Sequence, residues 1–104
     1  MARVGAFEEL VLLAVGQLAG AGYGVTIQAE LERETGGAIS LGAVYATLYR
    51  LERKGLVHSR VGAATRERGG RRKRLFHITA RGVAAVTEMQ HIRNRLGPLD
   101  LARA

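Results

Sequence analysis

The strongest concentration of reactive or charged side chains in this sequence of 104 residues is a cluster of basic residues between positions 60 and 74. Seven basic residues and one acid, Glu67, give this segment six of the chain's seven net positive charges. Cationic groups concentrated in one segment are typical of binding to a polyanion, most often nucleic acid. A solvated loop without a partner is the alternative. The residues predicted to contact phosphate are Arg66, Arg68, Arg71, Arg72, Lys73 and Arg74.

A second segment, residues 40–54, has the pattern of a helix that reads DNA. Ser40 can cap it, and an apolar stripe follows at helical spacing. The opposite face is predicted to be exposed and carries small side chains, which would allow the close approach that a DNA major groove requires. A short amphipathic helix packed on a small core is the alternative. The predicted DNA-contacting residues are Ser40, Gly42, Ala43, Tyr45, Ala46, Thr47, Tyr49 and Arg50, with Thr47 and Arg50 expected to read bases.

Catalytic and metal-binding chemistry has little support in the sequence. The chain has no cysteine, and its three histidines are separated. His58 and His77 could face each other across two strands, but two histidines without a third ligand make a poor zinc site. Ordinary hydrogen bonding is the expected role of this pair. The sequence therefore predicts a protein that is not an enzyme and holds no cofactor or metal.

Four helices and two strands are predicted to position these groups. The helices cover residues 7–18, 25–34, 40–54 and 80–96, and the strands cover 56–61 and 73–79. Glycine turns separate the first three helices, an arrangement typical of a helix-turn-helix. The predicted fold class is mostly α with a small β-hairpin wing: a winged helix-turn-helix plus a C-terminal dimerisation helix. The predicted domains are residues 1–79 for DNA binding and residues 80–104 for the dimerisation helix and tail.

The first and last helices carry more apolar surface than so small a chain is expected to cover. The first helix has two apolar stripes, and the last has apolar residues at alternating spacings of four and three, as in a coiled coil. This pattern predicts a homodimer. The alternatives are a central core helix at the start of the chain and a last helix that folds back onto the first. The predicted interface residues are Phe7, Leu10, Val11, Leu13, Ala85, Met89, Ile92 and Leu96.

Three motifs resemble the PadR family of bacterial winged-helix transcriptional regulators. They are G-Y-G-V at residues 22–25, S-L-G-A-V-Y-A-T-L-Y-R-L-E-R-K-G-L-V at 40–57, and R-K-R-L-F-H-I-T-A-R-G at 72–82. The resemblance covers residues 10–82. The chain departs from the family pattern at two prolines, where it has Leu41 and Ala46, and at paired wing tyrosines, where it has Leu75 and Phe76. The short C-terminal region is similar to the subgroup with a single dimerisation helix.

The resemblance implies a dimeric repressor that binds an inverted-repeat operator and releases it on a signal. Carried over by position, the resemblance implies that Tyr45 and the start of the third helix contact DNA. It also implies that the basic wing binds phosphate. Some members bind phenolic or drug-like molecules at the dimer interface. Because this sequence has no tryptophan and few aromatic residues, no specific ligand is predicted and any effector is unknown.

The function predicted from the sequence is sequence-specific binding of double-stranded DNA by a homodimer that regulates transcription. The alternative is a winged helix that binds RNA or protein without operator specificity, since a fold does not determine its partner. No apolar run approaches the length of a membrane span. The chain is therefore expected to be cytoplasmic and to have no membrane partner.

Overall fold

The helices and strands of the protein follow the predicted order closely. A computed structural model describes residues 3–62 and 72–103. The elements are α1 (Ala6–Gln17), α2 (Gly24–Thr35), α3 (Leu41–Arg53), β1 (Val57–Val61), β2 (Arg74–Ile78) and α4 (Ala80–Leu96). This arrangement confirms the predicted fold class, four helices with a two-stranded hairpin.

Helix α1 lies at the centre and packs against α2, α3, β2 and α4. Its apolar residues on more than one side explain this position, because each side is covered by a different element. The core is formed by apolar residues from every element: Val11, Leu12, Ala14, Val15, Ile27, Leu31, Val44, Leu48, Leu51, Leu56, Val57, Phe76, Ala85 and Val86. The first half of α4 therefore shares the core of the winged helix, and the domain boundary at residue 79 stays a prediction.

Two predicted dimer residues are buried in this core. Val11 and Ala85 are both inaccessible to a second subunit, so their assignment to the interface is wrong. Val11 belongs to the α1 stripe that also contains Val15, and this stripe meets the chain's own core. Ala85 lies where α4 folds back against α1 of the same chain, which was the alternative arrangement for this helix.

The hairpin is antiparallel and anchored to the helices by its buried face. His58 pairs with His77, and Ser59 pairs with Phe76. Phe76 is fully buried, and its backbone N–H donates to the Gly22 carbonyl at 2.9 Å. This bond ties the wing to the turn between α1 and α2, so the wing has a defined orientation relative to the helix-turn-helix.

The start of α4 is held against the end of α3 by a close backbone approach. Thr79 caps α4 by accepting from the Gly82 N–H at 3.0 Å and donates to the Gly55 carbonyl at 2.7 Å. A Cβ at Gly82 would overlap the Leu56 carbonyl. Glycine is therefore required at this crossing. Within the part of the chain that the structure describes, no helix combines the length and apolar character needed to cross a bilayer.

Candidate nucleic-acid interface

The N-terminal half of α3 presents small side chains to solvent. The Ser40 hydroxyl accepts from the Ala43 N–H at 3.0 Å, which starts the helix as predicted. Gly42, Ala43 and Ala46 are exposed. Tyr49, about one turn after Ala46, is 47% exposed. Little side-chain bulk would therefore separate this helix face from a ligand surface.

Thr47 is the one predicted base-reading residue that the structure places elsewhere. It is 1% exposed, and its hydroxyl accepts from Arg50 Nη2 at 3.1 Å. The position lies three residues after Val44 and four before Leu51, so it belongs to the buried stripe of α3. The prediction that Thr47 contacts a base is wrong. Arg50 is exposed and remains available on this surface.

A row of aromatic rings connects α3 to α2 and to the wing. Tyr45, predicted to contact DNA, is half-buried, and its ring lies directly over Gly24 at the start of α2. The rings of Tyr45 and Tyr49 stack with centroids 6.1 Å apart, and Tyr49 meets Phe76 edge-on at 6.5 Å. This contact row couples the orientation of α3 to that of the wing.

The wing cations differ in what they touch. Arg72 and Arg74 are exposed, and Arg74 Nη1 donates to the Ser59 hydroxyl at 3.0 Å. Lys73 is half-buried instead: its Nζ lies 4.3 Å from the centroid of the Tyr23 ring and donates to the Tyr23 hydroxyl at 3.1 Å. In this conformation Lys73 holds the wing to the helix-turn-helix rather than pointing outward. The predicted phosphate-binding residues Arg66, Arg68 and Arg71 lie outside the described residues.

Glu8 is a buried acid that the sequence pattern does not distinguish from other first-turn acids. It is 8% exposed, and its carboxylate accepts from Lys54 Nζ at 2.8 and 2.9 Å and from the Gly5 N–H at 2.9 Å. Arg50 Nε lies 3.8 Å from Glu8 Oε2. Burial alone would raise the pKa of Glu8, but the Gly5 N–H and these two cations outweigh burial and hold that pKa below its ordinary value.

The neighbouring acid, Glu9, connects α1 to the far end of α4. Its carboxylate is 2.7 Å from Arg93 Nη2, and Glu9 is buried. The hydrogen bond and the charge of Glu9 raise the pKa of the Arg93 guanidinium. Two consecutive acids on α1 thus bind cations from different elements, Glu8 from α3 and Glu9 from α4.

The two wing histidines face each other as predicted. The rings of His58 and His77 stack with centroids 6.2 Å apart, and Arg60 Nε donates to His77 Nε2 at 3.2 Å. For His77, hydrogen bonding of this kind matches the role expected from the sequence. Among residues 3–62 and 72–103, no group of three metal-ligating side chains lies close enough together to hold an ion.

Comparison with known proteins agrees with this geometry. The sequence matches the transcriptional regulator PadR-like family over residues 11–88. No curated protein matches the chain. RosR of H. salinarum has 26% identity and a TM-score of 0.72, with 96% of this chain and 83% of that chain covered.

Two further solved structures share the winged-helix fold. A PadR family transcription regulator from Clostridium difficile has 23% identity and a TM-score of 0.71, covering 88% of this chain and 91% of that chain. Bacillus subtilis PadR in complex with operator DNA has 16% identity and a TM-score of 0.72, covering 92% of this chain and 51% of that chain. The motif resemblance is thereby confirmed, and the chain belongs to the PadR-like family of transcriptional regulators.

Proposed function

We propose that the protein is a repressor that binds an inverted-repeat operator as a homodimer. The observation that carries this proposal is the joint exposure of the small-residue face of α3 and of the wing arginines Arg72 and Arg74. A helix with small side chains fits a major groove, and guanidinium groups beside it fit the flanking phosphates. Bacillus subtilis PadR, which has this fold, was solved in complex with operator DNA, and this supports the proposal that the present chain also binds an operator.

The dimer proposal is supported by apolar side chains that remain accessible on α1 and α4. Leu10 is 41% exposed and Leu96 is 81% exposed, while Phe7, Leu13, Met89 and Ile92 are half-buried. Leu10 and Leu13 also line a groove of about 410 Å³ between α1 and α2. Two helix-turn-helix units related by a two-fold axis would read two half-sites about one helical turn apart.

Binding to different nucleic acids tests the proposed function directly. Duplexes selected from genomic DNA by the purified protein should shift at lower protein concentration than random duplex or single-stranded RNA of equal length. The selected duplex, placed upstream of a reporter, should lower expression when the protein is present. Equal affinity for RNA and selected duplex would instead favour the winged helix as a general RNA-binding module, and raised expression would make the protein an activator.

The wing arginines should contribute affinity that does not depend on base sequence. Replacing Arg72 and Arg74 with alanine should weaken binding to selected and random duplex alike, because each phosphate that a cation neutralises releases condensed counterion. The slope of log K against log salt should become shallower by about 0.9 for each phosphate that is no longer neutralised. Arg103→Ala, which removes one positive charge from the tail, is the control and should leave the slope unaltered. An unaltered slope in the wing double variant would mean that the wing does not touch phosphate.

Arg50 should instead contribute sequence discrimination. Its guanidinium is exposed on α3, where it can pair with the edge of a guanine in the major groove. Arg50→Ala should therefore cost about 1–3 kcal/mol on the selected duplex and much less on random duplex. Competition titrations with both duplexes measure this difference. Equal losses on the two duplexes would place Arg50 on the DNA backbone.

A further inference from the structure

The buried carboxylate of Glu8 binds Lys54, a cation at the C-terminal end of α3. Lys54 caps the C-terminus of α3, one turn beyond Arg50. Its Nζ has three oxygen acceptors: both Glu8 oxygens, at 2.8 and 2.9 Å, and the Arg3 carbonyl at 3.0 Å. All three donor positions of the ammonium group are thus used inside the protein.

Arg50 is oriented by the same carboxylate. Its Nε faces Glu8 Oε2 at 3.8 Å, and its Nη2 donates to the Thr47 hydroxyl at 3.1 Å. Glu8 is buried, whereas the Arg50 and Lys54 side chains are 47% and 37% exposed. The acid is therefore the fixed member of this group, and the Nε edge of the guanidinium faces it at ion-pair distance without a hydrogen bond.

A carboxylate in this position competes with DNA phosphate, because both are anions that accept hydrogen bonds from the same cations. We propose that Glu8 is a specificity-determining positioning residue: it withholds Lys54 from phosphate and turns the outer edge of Arg50 toward the bases. This inference rests on the proposed function. It predicts that the chain gives up one sequence-independent contact, which lowers its affinity for random DNA and operator alike, while the orientation of Arg50 strengthens binding to the operator alone.

Glu8→Gln separates this role from a structural one. The amide can still accept from the Gly5 N–H, but it no longer holds the ammonium of Lys54 by charge. On random duplex the slope of log K against log salt should steepen by about 0.9, the value for one added phosphate contact. A fourfold reduction in salt should then strengthen binding about 3.5-fold more than it does for the wild type. The ratio of selected-duplex to random-duplex affinity should fall.

Glu9→Gln is the matched control. It removes the same charge from the next residue of the same helix, and Glu9 is similarly buried, but its cation is Arg93 on α4. Its salt slope should equal that of the wild type. Equal slopes for Glu8→Gln, Glu9→Gln and wild type would overturn the inference, as would weaker binding of Glu8→Gln at an unchanged slope.

Lys54→Gln tests the same idea with the buried acid retained, and it decides the question if Glu8→Gln fails to fold. In the presence of Glu8 this change should leave the random-duplex slope unchanged, whereas Arg72→Gln should make it shallower by about 0.9. A shallower slope for Lys54→Gln would show that Lys54 already contacts phosphate and would overturn the inference. If the wild type bound no duplex at all, both this inference and the proposed function would fail. If the wild type binds duplex but the salt slopes of the variants differ from those expected, only the inference fails and the proposed function stands.

Discussion

Replacing Leu10 and Leu96 together with aspartate is expected to give a folded monomer that binds its operator at least about a hundredfold more weakly. Both leucines are exposed in the single chain, so the change should cost the subunit's own fold little. In the proposed dimer each side chain would be buried, and burial of one leucine contributes about 1.5–3 kcal/mol. Aspartate would in addition bring an unpaired charge to the interface.

The choice of residues follows from their exposure. Met89 and Ile92 are half-buried within the single subunit, so aspartate there would change the stability of the subunit as well as its assembly. Val83→Asp is the matched control, because Val83 is 50% exposed on the side of α4 turned away from Leu96. This control should remain dimeric and bind the operator as the wild type does.

Sedimentation at micromolar concentration, together with operator titration, distinguishes the outcomes. A wild type that is monomeric yet binds the full operator tightly would refute the dimer proposal. A double variant that stays dimeric would place the interface elsewhere on the subunit. If Val83→Asp also dissociates, the effect comes from added charge on α4 rather than from the proposed apolar contact.

The backbone elements of this protein could be predicted because their signals are local. Helix α4 begins and ends where periodicity and the Gly97-Pro98 pair indicate, and the hairpin follows its β-branched residues and flanking glycines. The sequence predicts that His58 and His77 could face each other across the two strands, and the register pairs them. In each case, neighbours within about one turn or one strand determine the structure.

Thr47 shows where polarity is a poor guide to exposure. Its spacing from Val44 and Leu51 already placed it on the buried side of α3, but its small polar side chain suggested the exposed face. The hydroxyl is acceptable there because Arg50 donates to it. Helical position was the better guide to burial at this residue.

Glu8 and Lys73 could not have been predicted from local sequence, because their partners are distant. Glu8 resembles an ordinary acid in the first turn of a helix, where the helix dipole favours it. Its burial depends on Lys54, which lies 46 residues away. Lys73 stands in a run of cations and is distinguished from them only by Tyr23, 50 residues earlier. Only tertiary packing distinguishes the cations that are exposed to solvent from those that bind partners within the protein.

Gly24→Ala should be destabilising although alanine is usually the better residue in a helix. Gly24 is the first residue of α2 and is buried beneath Tyr45. In an open site alanine would be favoured by roughly 0.5–1 kcal/mol. Here the added Cβ would overlap the phenol ring, and such overpacking costs about 1–3 kcal/mol. Displacement of Tyr45 would also shift α3 and should weaken operator binding.

A double-mutant cycle with Tyr45→Ala isolates this contact. Once the ring is removed, the alanine at position 24 should no longer be unfavourable, so the two changes should be non-additive by about 1 kcal/mol or more in the free energy of unfolding. Gly37→Ala is the control: nothing lies within 4 Å of the added Cβ, and the change should stay within about 0.5 kcal/mol of wild type. Additive effects in the cycle would show that Tyr45 does not require glycine beneath it. The Tyr45 ring could then move away from the added Cβ, and the contact between Tyr45 and Gly24 would not couple α3 to α2.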